Sequence, residues 1–297
     1  MFRVGSVRNV EPASLRLPDP SCQVRLCPPT ATCTAGTGGS CCVCNEGYYG
    51  DGNNCFKEGE AQRINGKVSG RINGVQLEDL DLHAYVNTNE GRSYAAMNKV
   101  PPEVGSDIRS LLSISDGIGW LFAKVQGVQN GFSLTGGVLN RTVEMEFRSG
   151  ERVTISESYL GPDVFNYLKV NIDIRGSIPR LSTDLKVEMN DFSEDFTLSS
   201  SSNPGSTSTV SQLRSRSNRL LRTESSREVS FVIDQVIIFS ECPFLSTENR
   251  SKNSRLETSN TVLLYEETES IVRFAANYKL SALLGQSFDT FFSLSSF

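Results

Sequence analysis

The chain has 297 residues, of which 38% are hydrophobic and 21% charged, with a formal net charge of −5. That length admits more than one folded unit, and the negative balance argues against a general nucleic-acid binder. No apolar run is long enough to cross a bilayer as a helix, so membrane insertion is not expected.

Residues 1–20 are polar and proline-rich and read as a linker. A cysteine-dense stretch follows: seven of the eight cysteines fall between Cys22 and Cys55, and Cys242 stands alone far downstream. Dense cysteines belong to an oxidising compartment. Zinc would want two separated pairs of Cys or His ligands, and the single histidine, His83, lies outside the cluster. Disulfides are therefore expected, with no metal and no cofactor. Without Cys41, the other six read C-x4-C-x5-C-x8-C-x-C-x10-C, with an aromatic–glycine turn at Gly47-Tyr48-Tyr49-Gly50. This resembles an EGF-like domain, over residues 21–57. The resemblance implies the pairs Cys22–Cys33, Cys27–Cys42 and Cys44–Cys55; spacing alone leaves the connectivity open. The lead-in Pro18-Asp19-Pro20-Ser21 lacks the acidic consensus of calcium-binding modules. A module this small cannot fold on apolar burial alone and needs its cross-links. Met1-Phe2-Arg3-Val4-Gly5-Ser6 carries no apolar signal core, so the expectation is a fragment of a longer secreted chain.

After Cys55 the pattern turns to period two. Ile64, Gly66, Val68, Gly70 and Ile72 alternate with Arg63, Asn65, Lys67, Ser69 and Arg71, which predicts a half-buried strand. Leu80, Leu82, Ala84 and Val86 alternate with Asp81, His83 and Tyr85; a turn at 87–91 leads into Arg92-Ser93-Tyr94, a hairpin signature. Further strands are expected at 120–125, 132–139, 143–148, 152–158, 167–175, 185–189, 228–239, 261–265 and 270–276, with Asn130-Gly131 and Ser149-Gly150 as turns. One stretch breaks the pattern: after Pro101-Pro102, Val104, Ile108, Leu111 and Leu112 recur at helical spacing. A barrel of about ten strands is too wide for its own side chains to fill, and a helix threaded through it would occupy that space. Residues 199–211 read as a flexible serine-rich loop. The predicted fold is mainly β: a large antiparallel barrel or sandwich over residues 58–280, with 281–297 an unassigned tail.

Alternation puts Asp81, His83 and Tyr85 on one face of a strand, and Arg92 and Tyr94 return beside them on its partner. The leucines hold the opposite, core face. Glu269, Ile271 and Arg273 form a second outward set, against inward Ser270, Val272 and Phe274. Tyrosine, arginine and apolar anchors are enriched in protein–protein hot spots. Each alone is also an ordinary surface residue of a strand; together they favour binding. An enzyme would have to use Asp81-x-His83, but no nucleophile elbow, second histidine or dinucleotide-binding loop accompanies it, so catalysis is not expected. Asn140-Arg141-Thr142 and Asn249-Arg250-Ser251 fit the glycosylation sequon, and both are expected in exposed turns.

The ordered set Cys41-Cys42-Val43-Cys44, Gln62-Arg63-Ile64-Asn65-Gly66, Asp81-Leu82-His83-Ala84-Tyr85, Gly91-Arg92-Ser93-Tyr94, Ile118-Gly119-Trp120, Asn130-Gly131-Phe132 and Phe239-Ser240-Glu241-Cys242 is similar to the G2 region of the nidogen (entactin) family. The likeness covers roughly residues 22 to 280. It implies an eleven-stranded barrel like that of green fluorescent protein, with a central helix and no chromophore tripeptide. It also implies a secreted basement-membrane protein of the extracellular matrix, whose barrel surface binds an immunoglobulin-like domain of perlecan and collagen IV. Carried over, the perlecan-binding residues would be Arg63, Asp81, His83, Tyr85, Tyr94, Glu269, Ile271 and Arg273. The resemblance further implies a bond between the two leftover cysteines, Cys41 and Cys242. Hemicentins share the barrel and are the alternative, but there the EGF modules follow it rather than precede it.

Overall fold

A computed structural model of the protein describes residues 22, 26–36, 38–182, 186–201, 209–224, 227–244 and 253–283. The expected linker at 1–20, Asn249 and the tail from 284 onward lie outside the described residues.

The cysteine-rich module is two short hairpins. β1 (Ala31–Gly36) pairs with β2 (Gly39–Cys44), and β3 (Tyr48–Gly50) with β4 (Cys55–Lys57). Disulfides join Cys22 to Cys33, Cys27 to Cys42, and Cys44 to Cys55. These are the pairs that the EGF-like resemblance implies. A fourth bridge, Cys41–Cys242, leaves the module for the barrel. The Phe56 ring stacks on Phe132 at 4.2 Å, so the module also packs against the end of the barrel through aromatic contact.

The barrel is built from β5 (Gln62–Ile72), β6 (Val75–Asn87), β7 (Arg92–Met97), β9 (Val138–Phe147), β10 (Arg152–Pro162), β11 (Leu168–Gly176), β13 (Phe192–Ser201), β14 (Thr209–Thr223), β15 (Glu228–Glu241), β16 (Asn253–Glu266) and β17 (Ile271–Ala282). Two three-residue strands, β8 (Lys124–Gln126) and β12 (Val187–Met189), attach to β17 and β14. The order around the wall is β14-β13-β16-β17-β7-β6-β5-β11-β10-β9-β15, and pairing of β15 with β14 closes it. Eleven strands therefore surround one interior, as the alternating patterns require: inward Ile64, Val68, Leu82, Ala84 and Val86 are all buried. Among the eleven wall strands pairing is antiparallel except between β11 and β5, and the short β8 also runs parallel to β17.

The chain enters that interior at Pro101. Helices α1 (Pro102–Ile108) and α2 (Ser113–Leu121) run through it, and every residue from 104 to 123 is buried. The predicted central helix is present and longer than its apolar spacing indicated. The strand expected at 120–125 is strand only at its end: Trp120 and Leu121 are the last turn of α2, and β8 starts at Lys124. Because α2 is enclosed on all sides, it has no water-exposed face to mark its period, and Gly117 and Gly119 disguise it further. The strand expected at 132–139 is split in two. Asn130 is not a hairpin turn but caps helix α3 (Gly131–Thr135), its side-chain oxygen accepting from the Ser133 N–H at 2.9 Å. Gly136, at φ +59°, ends the helix and releases the chain into β9.

The supposed loop at 199–211 is also partly strand, since β13 runs to Ser201 and β14 starts at Thr209. Ser270, expected to point inward from a strand, sits in the β16–β17 turn at φ +54°. The hidden strands share a cause. On β14 the inward residues are Ser211, Leu213, Ser215, Ser217, Arg219, Leu221 and Thr223, so alternation of burial is not alternation of hydrophobicity. They face a buried polar network. Arg219 pairs with Asp116 of α2 at 2.5 Å and with Glu194. Gln235 donates to Glu194 at 2.5 Å and accepts from Arg141 at 2.7 Å. Arg141 in turn pairs with Glu157 at 2.7 Å. The Tyr278 hydroxyl closes the other end on Asp116 at 2.9 Å. Buried charges persist only when paired in this way.

Candidate functional site

The outer face of β5, β6, β7, β16 and β17 forms a shallow groove of about 690 Å³. Strand register brings its residues together. Arg63 lies opposite Tyr85, and Tyr85 opposite Tyr94, so one row crosses three strands. Asn65 lies opposite His83 and His83 opposite Ala96 in the next row, which continues to Arg273 and Leu264. Same-face neighbours on paired strands are close enough for side chains to touch.

Of the eight residues picked from the sequence, Arg63, His83, Tyr85, Tyr94 and Arg273 line this groove. Asp81 is on the same face of β6 but is engaged at the rim, with Lys67 at 2.8 Å and Lys99 at 2.7 Å. Those two lysines, Lys67 first, pull its carboxyl down to about 2. Glu269 sits in the β16–β17 turn and accepts from Arg273 at 2.7 Å. Ile271 begins β17, half-buried, outside the groove lining.

The groove holds its aromatic anchors in prepared positions. Tyr85 and Tyr94 are 44% and 49% exposed, high values for large rings. Arg92 stands 5.2 Å over the Tyr94 ring, and its Nη1 donates to the Asn260 carbonyl and to Asn277 Oδ1, both at 2.9 Å. Arg63 stands 5.9 Å over Tyr167. Both contacts are in cation–π range. His83 Nδ1 is 2.9 Å from Asn65 Oδ1. With that oxygen accepting, Nδ1 carries a proton, and in the neutral ring Nε2 is left as an acceptor for an incoming group. No Asp81–His83 pair forms: the carboxylate is bound by lysines and the imidazole by an amide. The arrangement offers cationic donors, one imidazole acceptor and a bed of tyrosine and aliphatic surface.

Sequence reasoning missed Asn65, Tyr167, Val262 and Leu264, which also line the groove. Leu264 is 53% exposed. Its signal was present in Val262-Leu263-Leu264-Tyr265, where consecutive apolar residues on a strand must place some on each face.

Residues 59–246 match the family described as the G2F domain. The chain belongs to the G2F-domain family. In solved structures, domain G2 of mouse nidogen-1 superposes with a TM-score of 0.70 at 32% identity, covering 82% of this chain and 98% of that domain. Nidogen of Drosophila melanogaster is 32% identical over 265 residues, which is 88% of this chain and 19% of the relative. The chain thus spans about a fifth of the length of the curated relatives it matches first. Human hemicentin-1 is 33% identical over 143 residues, only 46% of this chain. The G2F barrel and the cysteine-rich module together make the long match to nidogens, and the hemicentin match falls short of it.

Proposed function

We propose that this chain is a non-covalent adaptor of the extracellular matrix, secreted and resident in basement membrane, whose groove binds a perlecan-type immunoglobulin-like domain. Collagen IV is the second partner that the barrel surface would take, so that the protein links two matrix networks. Residues 21–57 act as an EGF-like spacer and 58–280 as the binding barrel. The observation that supports this best is the row Arg63, Tyr85, Tyr94 beside His83 and Arg273: exposed aromatic and arginine anchors on rigid strands, lining one concave face. Anchors of this kind dominate protein–protein affinity, and strands hold them more firmly than loops would.

In docking, Tyr85, Tyr94 and Ile271 supply buried area. Arg63 and Arg273 reach carboxylates or backbone carbonyls of the partner, and His83 Nε2 accepts a hydrogen bond. Arg273 must exchange or share Glu269 to do so. Surface plasmon resonance against a perlecan immunoglobulin-like domain tests the reading. Tyr85→Ala and His83→Ala are expected to weaken binding, Tyr85→Ala by about 2 kcal/mol or more. Unchanged affinity in both would move the binding face elsewhere.

A further inference from the structure

Asn140-Arg141-Thr142 is not in a turn, as its composition led us to expect, but in the middle of β9. Alternation sends Arg141 inward to Glu157 and leaves Asn140 and Thr142 exposed on the outer wall. The Ser158 hydroxyl donates to Asn140 Oδ1 at 2.9 Å, while Nδ2 has no acceptor among the described residues. The surroundings are unusual for a water-facing wall. Ile238 is directly opposite Asn140 on β15, and Val138 precedes it on the same face with Leu160 opposite on β10. These three are 43%, 50% and 59% exposed. Contiguous exposed hydrocarbon marks a surface that something covers, and an acceptor asparagine stands beside it.

We propose that Asn140 carries an N-linked glycan whose first N-acetylglucosamine residues lie over Val138, Leu160 and Ile238. The C–H face of a pyranose ring packs on aliphatic side chains while its hydroxyls stay in water, so the sugar matches both sides of the boundary. The disulfides require an oxidising secretory compartment, the compartment in which such glycans are attached. The donor is a polyprenyl-pyrophosphate-linked oligosaccharide. Asn140 Nδ2 forms the bond to C1 of its reducing sugar, the C1–oxygen bond to pyrophosphate breaks with its electron pair leaving on phosphate, and one amide proton is released. Transfer precedes barrel closure, because afterwards β9 is hydrogen-bonded between β10 and β15. The site is separated from β6 by β5, β11 and β10, so the glycan leaves the groove open. The inference does not depend on what the groove binds.

The test is to secrete the full chain from animal cells behind an added leader. The native protein is digested with a protease other than trypsin, since Arg141 follows the acceptor, and deglycosylated with PNGase F in ¹⁸O water. Labelled aspartate at position 140 is expected in the wild type and in Thr142→Ser, and is expected to be lost in Thr142→Val. An unmodified Asn140 in folded, secreted wild-type protein overturns the proposal. The covering role has its own readout: Asn140→Gln, which removes the glycan without adding hydrocarbon, should bind an apolar dye several-fold more and self-associate, and adding Val138→Ser with Leu160→Ser should reverse both. A glycan whose loss leaves dye binding and association unchanged overturns that role. If Asn140 is bare and wild-type protein dimerises through the patch, a second copy covers it and the glycan does not.

Discussion

At the scale of single residues, the groove divides into side chains that are free to meet a partner and side chains already spent on holding the site. Asp81 belongs to the second kind. Its carboxylate accepts from Lys67 and Lys99, and its folded pKa falls to about 2 from an ordinary value near 3.8. The sign follows: the contribution of this cluster to stability is complete above the unfolded pKa and fades as pH falls toward about 2. Carbon-detected NMR should find the Asp81 midpoint near 2, and Lys67→Ala should move it upward. Affinity for an immunoglobulin-like partner should be flat between pH 5 and 8 as far as Asp81 is concerned. Leu264 belongs to the first kind. Removing its side chain by Leu264→Ala should weaken binding by about 1 kcal/mol with folding unaffected; equal affinity by calorimetry would take it out of the contact. Leu264 was hidden in an apolar run that counts equally for either face. Tyr85 and Tyr94 were legible because each alternates with core residues.

At the scale of elements, the legible strands are those whose inward residues are mostly apolar, such as β5, β6 and β15. The illegible ones, β13 and β14, face the interior network, where Glu194, Ser215, Ser217 and Arg219 replace hydrocarbon. Period two in hydrophobicity fails there although period two in burial holds. The same network explains why α2 tolerates so little side chain at its centre. A Cβ on Gly117 would stand 2.5 Å from Glu157 Oε2 and 2.5 Å from the Tyr159 hydroxyl, both fixed inside the barrel. Gly117→Ala should therefore destabilise by about 1–3 kcal/mol through overpacking. Asp116→Ala should cost more, about 3–5 kcal/mol, because it leaves Arg219 with one carboxylate fewer and Tyr278 without an acceptor. Urea unfolding followed by the single Trp120 measures both. If Asp116→Ala proves the milder of the two, the network is not what holds α2 in place.

At the scale of the molecule, the uneven cysteine count resolves into a joint between two modules. Cys41 of β2 is bonded to Cys242, just beyond the end of β15, across 201 residues of chain. Closing so long a loop in the unfolded state is worth about 5 kcal/mol as a chain-entropy upper figure. A second contact between the two is apolar: Phe56 of the module stacks on Phe132 of α3, with Tyr49 edge-on to the same ring at 5.5 Å. The two devices act differently. The aromatic contact orients the module on the barrel, while the bridge keeps the two in register when the contact opens. Cys41→Ser with Cys242→Ser should therefore lower the midpoint of thermal unfolding and admit a protease at residues 58–61, the segment between β4 and β5. The groove should still bind, because its row crosses β5, β6 and β7 and continues to β17 and β16, away from the bridge. Limited proteolysis and surface plasmon resonance on the same preparation separate these effects. A variant that loses binding together with the bridge would mean that the module holds the groove's shape; a variant that keeps both its affinity and its protease resistance would mean that the aromatic contact alone holds the joint.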